Sequence, residues 1–583
     1  MEFALQALHL LDGQTVSIPD GGITLVTGPN NAGKSVLLRE INSALTFPQQ
    51  LTQPGTEGLW VSNIDLSIDQ DPLKIEDWFN SVSRIIPNGP WPLAGRRGLF
   101  DEQNYHNSID LAIARSLIVG KNGLRQLAPW LVTYHDALGR GGLLTSAPAR
   151  DAMAPASNPL HRLWDSRPSE RHLSDLLQRA FGFEVCVNRY AQRVELLMGR
   201  PTRPDEVLPA SPELLDEYAR LPGLITQGDG VRSFAGLMLW AIAGSARIVL
   251  IDEPEAFLHP PQARLIGRYL ADETPKGTQI IVATHSAEVL EGALDGSREV
   301  RVIRLQAEPE GDRVSRTLNP RRVRSLWTDP LFRYSDMLDG LFHRGTVICE
   351  SDGDCRLYSA VLDGRLARAA AQDLNFTHVG GKDRLPIALK ELSELGLRVA
   401  ILGDLDIVND TSRVTLLAEA IGLPYAEIAE DLRIVHDAVG SRSSAPVVRN
   451  LKDAARPVLA RADRSPVLEA EARAIRDSVK FRSGWDELKR SGTRGLDGPS
   501  FNAMSNLLTT LARRGIFLAP VGDLERWFPE LNVGHGRAFV TEVLERRLHL
   551  SPPTELATFI DAVASFFGFT TPTDPAGNYA EPT

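Results

Sequence analysis

The sequence contains few cysteines for its 583 residues, namely Cys186, Cys349 and Cys355. Three thiols are too few for a disulfide framework, and the absence of a C-x-x-C pair argues against a structural zinc site. This cysteine usage is typical of a reducing compartment, so we expect a cytoplasmic protein.

Long apolar runs are also absent. The longest uncharged apolar stretch, residues 234–246, has 13 residues, whereas a helix needs roughly 20 to cross a bilayer. We interpret this stretch as a buried helix. The N-terminal segment carries Glu2 where a signal peptide would carry a base. We therefore expect neither a signal peptide nor a membrane span.

Basic residues do not predominate. The 63 Lys and Arg residues are outnumbered by 74 Asp and Glu residues, which gives a formal net charge of −11. This balance excludes a protein that binds nucleic acid through a basic charge over its whole surface. It leaves open a local basic groove, or metal ions that offset phosphate charge.

The pattern of apolar residues predicts an α/β protein with more than one domain. At roughly 150 residues per domain, the length indicates three or four domains, or two with large insertions. Nearly continuous apolar runs alternate with helical patterns, as expected for strands covered on both faces. Between about 100 and 220 this strand signal fades, and we interpret the region as a helical insertion. The clearest runs are 23–27, 248–251, 280–283, 346–349, 399–402 and 516–518.

A phosphate-binding loop is predicted at residues 28–35, which fit the pattern G-x-x-x-x-G-K-[ST] between an apolar run and a helix start. Backbone N–H groups of such a loop converge on phosphates, and the helix N-terminus adds positive potential. Lys34 is expected to bridge the β- and γ-phosphates of ATP, and the Ser35 hydroxyl to ligate Mg²⁺. The candidate nucleotide-binding residues of this loop are Gly28, Asn30, Asn31, Ala32, Gly33, Lys34 and Ser35.

Three further segments complete the candidate nucleotide site. The run 247–251 ends in Asp252 and Glu253, for which we expect Mg²⁺ binding and activation of the attacking water, respectively. His285 follows another apolar run, and we expect it near the γ-phosphate or the water. Asp229 and Gly230 precede the predicted buried helix and are a weaker candidate for anion binding.

These motifs resemble the ATP-binding-cassette (ABC) ATPases of the recombination and chromosome-maintenance type. The segment from Glu253 to Pro260 is similar to that family's Walker B motif and following loop, and Asp229 and Gly230 lie where the family has its signature motif. In this chain Gln227 and Gly228 replace the usual serine. The resemblance implies that two ATPase heads enclose ATP between them, and hence a homodimer or a higher homo-oligomer.

A second group of acids follows predicted strands in the C-terminal half. Glu350 and Asp354 follow one apolar run, and Asp404 and Asp406 end another as Asp-x-Asp. Alternation along an extended chain places Asp404 and Asp406 on one face. Carboxylates at the carboxyl ends of parallel strands meet in one crevice, where oxygen ligands suit Mg²⁺ or Mn²⁺. The alternative is a set of solvated loop acids.

Two more residues are candidates for the same crevice. Glu525 follows the apolar run 516–518 and is a possible further metal ligand. Lys489 is a candidate for stabilising phosphate charge, or else an exposed helix lysine. Residues 379–382, Val-Gly-Gly-Lys, lie between the two acid motifs.

This half resembles the Toprim fold of topoisomerases, primases and some nucleases, with Glu350 matching its metal-site glutamate and Asp404 and Asp406 its Asp-x-Asp. The usual pattern begins Glu-Gly, whereas Ser351 stands here in place of the glycine. An ABC-type ATPase followed by a Toprim domain is similar to the overcoming-lysogenization-defect (OLD) family of ATP-dependent nucleases. That resemblance implies a role in defence against phage.

The sequence thus predicts an ABC-type P-loop ATPase domain with a helical insertion, followed by a Toprim-like α/β domain with its own helical insertion. The expected activity is an ATP-regulated, metal-dependent nuclease acting on DNA more readily than RNA. Two alternatives stay open: a nucleotide-controlled scaffold with a weak acid site, and a nuclease for structured RNA. The predicted parts are an ATPase domain at 1–305 with its insertion at 100–220, a linker at 306–343, a Toprim-like domain at 344–535 and a helical segment with a flexible tail at 536–583.

Overall fold

The chain folds into two compact units, Met1–Arg333 and Tyr334–Thr583, in the computed structural model. We refer to them as the first unit and the second unit. The structure describes residues 3–47, 60–68, 124–149, 158–204, 209–244, 246–307, 313–333, 335–366, 373–444, 448–461, 465–479, 482–531, 533 and 536–570, with a few short stretches between 71 and 116.

The first unit is built on a six-stranded central sheet with the strand order β16–β15–β3–β14–β13–β8. All neighbouring pairs are parallel except β15 and β16. Central strands are covered on both faces, which is why they consist of continuous apolar residues. The strands of this unit are β1 Phe3–Leu10, β2 Thr15–Ser17, β3 Ile23–Thr27, β4 Val61–Ile68, β5 Ser83–Ile85, β6 Arg97–Leu99, β7 Asn107–Ile109, β8 Val132–His135, β9 Ala147–Pro148, β10 Val185–Val187, β11 Arg193–Val194, β12 Leu196–Met198, β13 Ile248–Asp252, β14 Gln279–Ala283, β15 Val300–Ala307 and β16 Arg313–Leu318.

Helices and a small antiparallel sheet cover the central sheet. Helix α1 begins directly after the loop that follows β3, and its buried residues Leu37, Leu38 and Ile41 share a core with the sheet β2–β1–β4. The predicted buried helix at 234–246 corresponds to α6, which begins earlier, at Asp229, and ends at Ala243. The helices are α1 Lys34–Thr46, α2 Ala128–Leu131, α3 Pro159–Asp165, α4 Arg167–Phe181, α5 Pro212–Arg220, α6 Asp229–Ala243, α7 Pro260–Glu273, α8 Ala287–Asp295, α9 Pro320–Thr328 and α10 Pro330–Arg333.

The region 100–220 is not the helical insertion that the sequence pattern predicted. Its described part mixes α2–α5 with the short strands β7–β12, and β8 belongs to the central sheet, where Ile248 pairs with Val132. The sequence of β8, Val-Thr-Tyr-His, lacks an apolar run because it is short and lies at the edge of the sheet. Edge strands need fewer apolar residues than central ones, so the pattern missed it.

The segment 306–343, predicted as a linker, is also largely folded. Residues 313–318 form β16, which pairs antiparallel with β15, and α9 follows. The Trp327 indole donates to the Asp295 carboxylate over 3.0 Å, which ties α9 to α8. The turn predicted at 308–312 lies outside the described residues.

The second unit contains a four-stranded parallel sheet with the order β18–β17–β19–β22. Between β19 and β22 the chain runs through helices α13 to α18 and the short pair β20–β21. The strands are β17 Gly345–Cys349, β18 Leu374–His378, β19 Val399–Asp404, β20 Ser443–Ser444, β21 Arg482–Ser483 and β22 Ile516–Ala519. The helices are α11 Asp352–Arg365, α12 Leu385–Glu394, α13 Thr411–Ala420, α14 Ala429–Gly440, α15 Val448–Leu459, α16 Glu469–Ser478, α17 Gly484–Ser491, α18 Gly498–Ala512, α19 Arg537–Glu545 and α20 Thr554–Phe566.

The C-terminal segment from 536 is part of the core of the second unit and not a separate appendage. Phe539 and Val543 of α19 and Ile560 of α20 are buried together with Val347 and Leu402 of the sheet. The sequence also predicted a flexible tail at the end of this segment. Residues from 571 onward lie outside the described part of the chain. Among the described residues, no helix combines the length and the apolar composition that a membrane span requires.

Candidate functional site

The predicted phosphate loop connects the end of β3 to the start of α1 at Lys34. Gly28 and Gly33 have φ angles of 139° and 88°, and Asn31 has a φ of 63°. A Cβ atom on Gly28 would lie 2.2 Å from the Leu305 carbonyl oxygen. The loop therefore needs glycine at this position for space as well as for backbone conformation.

Lys34 and Ser35 occupy the first turn of α1. Lys34 is 3 % exposed, and its ammonium donates to the carbonyl oxygens of Gly28 and Pro29 over 2.7 and 2.9 Å. The Ser35 hydroxyl donates to Asp252 Oδ1 over 2.9 Å. The structure thus joins the loop to the carboxylate at the end of β13. Asn30 is exposed and Ala32 is buried in the same loop.

Asp252 lies at the carboxyl end of β13, two strands from β3 in the central sheet. Its second oxygen accepts a hydrogen bond from the Tyr134 hydroxyl over 3.2 Å. Burial raises the pKa of Asp252, and the hydrogen bond from Ser35 opposes that rise. Burial and the nearby Asp252 raise the pKa of Tyr134, so its hydroxyl keeps its proton and remains a donor.

Glu253 and His285 follow neighbouring strands and meet beyond the sheet. His285 Nε2 lies 3.3 Å from Glu253 Oε1. Burial and the charge of Lys34 lower the pKa of His285 to about 4, so the imidazole is neutral at neutral pH. The His285 backbone N–H donates to Glu255 Oε1 over 2.6 Å, and burial raises the pKa of Glu255.

Arg140 is a neighbour of this cluster that no sequence motif indicated. It lies in a short 3₁₀ helix, Gly139–Leu144, after β8, in the region that the pattern predicted as an insertion. Its side chain is 1 % exposed, and its guanidinium donates to the backbone carbonyls of Asp252 and Glu253 over 3.1 and 2.8 Å. Burial lowers the pKa of Arg140 to about 10, which leaves it charged at neutral pH.

Asp229 and Gly230 form the first turn of α6. The Asp229 carboxylate pairs with Arg232 one turn along the same helix. Gly230 closely approaches the Phe257 carbonyl, which a Cβ atom would meet at 2.4 Å. The structure therefore gives these two residues contacts with their own helix and the turn after Glu253, whereas Lys34, Ser35, Asp252, Glu253 and His285 form one connected cluster.

Three of the predicted acids meet in the second unit. Glu350 follows β17, Asp404 ends β19, and Asp406 lies in the 3₁₀ helix Leu405–Asn409. One carboxylate oxygen from each lies within 4.8 Å of the others. The chain does not remain extended through Asp406 as the alternation argument assumed. The 3₁₀ turn nevertheless returns its carboxylate to the side of Asp404.

Two lysine side chains contact these acids. Lys489 Nζ, on α17, lies 3.2 Å from Asp406 Oδ2 and 3.5 Å from Asp404 Oδ2. Lys382 Nζ lies 2.9 Å from Asp406 Oδ2, and it follows a glycine turn in which the Gly381 N–H donates to the Glu350 carbonyl over 3.0 Å. The Gly-Gly-Lys sequence after a strand was the only signal for Lys382, and it did not indicate which acid the lysine would meet.

We define the acid pocket as Glu350, Asp404, Asp406, Lys382 and Lys489. The pKa values of its three carboxylates are shifted in different directions. Burial, with the charges of neighbouring acids, raises the pKa of Asp404 to about 8 although Lys489 opposes the rise. Burial and Asp406 likewise raise the pKa of Glu350. Burial favours the neutral form of Asp406 as well, but the two lysines outweigh it and lower the pKa of Asp406. Burial lowers the pKa of Lys489, yet the two aspartates raise it overall.

Two oxygens of the acid pocket are buried without a hydrogen-bond partner, Glu350 Oε2 and Asp406 Oδ1. Buried polar atoms without partners are rare and costly, and binding of an ion is one way to satisfy them. An all-oxygen set of ligands suits Mg²⁺ or Mn²⁺. The residues present therefore fit a divalent cation.

Asp354 and Glu525, predicted as further metal ligands, fall outside the cluster of three acids. Asp354 Oδ2 accepts from both the Ser351 N–H and the Ser351 hydroxyl over 2.8 Å, at the start of α11. Glu525 Oε1 accepts from the Gly536 N–H over 2.7 Å. Both carboxylates accept hydrogen bonds from backbone N–H groups near the start of a helix, where these groups have no partner within the helix. Ser351, which replaces the usual glycine, acts here in a helix cap.

Comparisons with known proteins find similarity to ATP-binding proteins. A family model described as "AAA domain, putative AbiEii toxin, Type IV TA system" matches residues 133–291. The chain is 40 % identical over 57 residues to a phosphonates import ATP-binding protein of Synechococcus sp., covering 10 % of this chain and 19 % of that protein. It is 32 % identical over 101 residues to a phosphate import ATP-binding protein of Pyrococcus furiosus, covering 16 % of this chain and 39 % of that protein.

The chain thus spans less than half the length of each of these two relatives. Among solved structures, the SMC head domain from Thermotoga maritima matches with a TM-score of 0.27 and 14 % identity, covering 55 % of this chain and 100 % of that one. The family match and the import proteins, together with the loop at 28–35, show that the first unit has the α/β P-loop fold of ABC-type ATPases.

Proposed function

We propose that this chain is an ATP-regulated, divalent-metal-dependent nuclease that cleaves phosphodiester bonds, DNA more readily than RNA, as in the OLD family it resembles. The observation that carries the proposal is the acid pocket. Three carboxylates within 4.8 Å of one another, two of them with buried unpartnered oxygens, lie at the carboxyl ends of parallel strands. Burying carboxylate oxygens without hydrogen-bond partners costs free energy, and a purely structural role for the acids would not explain that cost.

In the first unit, ATP hydrolysis rests on the connected cluster around Asp252. Lys34 binds the β- and γ-phosphates, and Ser35 and Asp252, already joined over 2.9 Å, hold Mg²⁺. Glu253 accepts a proton from the attacking water. The neutral imidazole of His285 accepts or donates a hydrogen bond at the water or the γ-phosphate. Asp229 and Gly230 are proposed to contact the nucleotide of a second copy, which implies a homo-oligomer.

In the second unit, Glu350, Asp404 and Asp406 are the proposed ligands of Mg²⁺ or Mn²⁺. A divalent ion in such a site activates water and stabilises the leaving oxygen. Lys382 and Lys489 carry positive charge beside the ligands, where they bind phosphate oxygens and stabilise the charge that develops during cleavage. ATP controls cleavage if it favours one arrangement of the paired heads over another.

A second function is supported by the lysine contacts themselves. Lys382 and Lys489 themselves offset the charge of Asp406. An acid pocket neutralised in this way is also compatible with an ATP-controlled scaffold or sensor that cuts nothing. Structured RNA is a further possible substrate of the nuclease, because phosphate contacts carry no base identity.

The test compares wild type with Asp404→Ala/Asp406→Ala on plasmid DNA and on structured RNA, with Mn²⁺ and with or without ATP. Asp437→Ala/Asp431→Ala on α14 is a matched control that removes two acids of the second unit outside the pocket. We expect wild type and control to nick plasmid, and the pocket variant to lose that activity. Equal cutting by the pocket variant contradicts the proposal, cleavage of RNA alone favours the RNA substrate, and no cleavage of either favours the scaffold.

A further inference from the structure

Glu253 has a backbone conformation that non-glycine residues rarely adopt. Its φ is 48°, directly after the last residue of β13. Such left-handed positions cost free energy for residues with a side chain and persist where the surroundings hold them. The contacts that hold the backbone of Asp252 and Glu253 therefore determine the direction in which the Glu253 carboxylate points away from the sheet.

The segment is held from two sides. On one side, the Glu253 N–H donates to the Ala283 carbonyl of β14 over 2.8 Å, and the His285 N–H donates to Glu255 over 2.6 Å. On the other side, the Arg140 guanidinium donates to the Asp252 and Glu253 carbonyls over 3.1 and 2.8 Å. Arg140 thus spans two successive carbonyls across the turn.

Burying the charged Arg140 guanidinium behind this turn costs free energy. Arg140 is 1 % exposed and its burial opposes the charged form. Asp136, Asp252, Glu253 and Glu255 offset this opposition electrostatically. A planar guanidinium presents several donors in a fixed fork, so it can bind two diverging carbonyls at once, which a lysine ammonium does less well.

We infer that Arg140 is a positioning residue for ATP hydrolysis, which acts through Glu253 by fixing the left-handed turn that directs this carboxylate. The inference rests on the proposed role of Glu253 as the base. The Glu253 side chain is 42 % exposed, so it projects from the held turn toward open space beside His285, while Arg140 remains enclosed behind it. The guanidinium contacts the backbone carbonyls of Asp252 and Glu253, so we expect it to affect the rate through the geometry of this turn.

The experiment measures ATP binding and turnover for Arg140→Met and Arg140→Lys in the full chain. We expect kcat to fall about 30-fold or more in Arg140→Met, with the KM and the affinity for a fluorescent ATP analogue changed less than about threefold. Arg140→Lys should recover part of the rate. A fall in affinity equal to the fall in kcat would overturn the inference, because it would show a general loss of the site.

Arg298→Met is the matched structural control. Arg298 also binds backbone carbonyls in the first unit, among them those of Gly21 and Thr278, but near the amino ends of β3 and β14. We expect it to lower stability while leaving kcat per folded molecule unchanged. Where Arg140→Met folds poorly, Arg140→Lys, compared at equal folded fraction, carries the test.

A double-mutant cycle separates this inference from the proposed function. The rate of single-turnover hydrolysis is measured in Glu253→Gln and in the double variant Glu253→Gln/Arg140→Met. Because both changes act on one step, adding Arg140→Met should lower the rate of Glu253→Gln by less than about threefold. A fully additive loss contradicts the inference. If Glu253→Gln itself leaves turnover unchanged, the proposed role of Glu253 fails, and the inference fails with it. If Glu253→Gln abolishes turnover and Arg140→Met leaves kcat at the wild-type value, only the inference fails.

Discussion

The Lys382 ammonium lies 2.9 Å from the Asp406 carboxylate, although the two residues follow different strands of the second unit. Lys489 reaches the same oxygen from α17 over 3.2 Å. One oxygen of Asp406 is therefore bound by two cations, while the other is buried without a hydrogen-bond partner. The lysines therefore contact Oδ2 of Asp406, and Oδ1 is the oxygen that we propose for metal binding.

We predict that Lys382→Met tightens Mn²⁺ binding and weakens cleavage. Removing a positive charge beside a divalent ion relieves roughly 1–2 kcal/mol of repulsion, or roughly tenfold in affinity. Isothermal titration with Mn²⁺ measures the affinity, and plasmid nicking measures the rate. Lys390→Met, an exposed lysine of α12, is the control and should change neither. Unchanged Mn²⁺ affinity in Lys382→Met would show that the ion binds elsewhere.

Lys34→Ala should abolish ATP hydrolysis. The ammonium is held by the Gly28 and Pro29 carbonyls inside the loop, where it is ready to meet the phosphates. We expect turnover to fall at least about 100-fold, measured by phosphate release. Lys276→Ala, an exposed lysine of the same unit, should keep wild-type turnover. Hydrolysis by Lys34→Ala at the wild-type rate would remove the loop from the mechanism.

Glu253→Gln should bind ATP with near wild-type affinity yet retain it unhydrolysed. The amide keeps the size of the side chain and the contact with His285, but it cannot accept the proton of the water. Nucleotide recovered from the purified variant after incubation with ATP should be mostly ATP, whereas wild type should yield ADP. Recovery of ADP from the variant would mean that another group is the base.

The first unit should lose stability on mild acidification through His135. This residue is 4 % exposed, and burial, with a smaller contribution from Arg140, lowers its pKa from 6.5 to about 3. Below pH 6.5 the unfolded chain takes up a proton that the folded chain refuses, so the stabilisation present at higher pH is lost as the pH falls from 6.5 toward 3. The expected loss is about 2 kcal/mol at pH 5.

Chemical denaturation at about pH 7.5 and about pH 5 measures this effect. His135→Phe keeps a ring against Trp240, whose centroid is 5.3 Å away, but cannot be protonated. The decrease between the two pH values should therefore be smaller in His135→Phe than in wild type by about the same 2 kcal/mol. An equal decrease in both proteins would contradict the assignment.

Sequence patterns predicted those parts of the fold that depend on burial and on fixed spacing. The strands β3, β13, β14, β17 and β19 are apolar because they are covered on both faces. The loop at 28–35 follows a spacing that phosphate binding imposes. For the same reason the carboxylates at strand ends could be expected to converge, since parallel neighbours end at one edge.

The patterns failed where short or edge elements carry polar residues. The strands β8 and β16 lie at opposite edges of the central sheet and contain Thr, Tyr, His, Arg and Ser. Arg140 could not be found, because its partners are backbone carbonyls more than 100 positions away. Asp354 and Glu525 share the residue type of the metal ligands, and only the fold shows that their oxygens bind nearby N–H groups.

The most direct test of the account is a crystal of the full chain grown with Mn²⁺ and examined by anomalous scattering. We predict a manganese peak bound by Glu350, Asp404 and Asp406, which disappears in Asp404→Ala/Asp406→Ala. A pocket without a peak at saturating Mn²⁺, with both lysines still bound to Asp406, would contradict it.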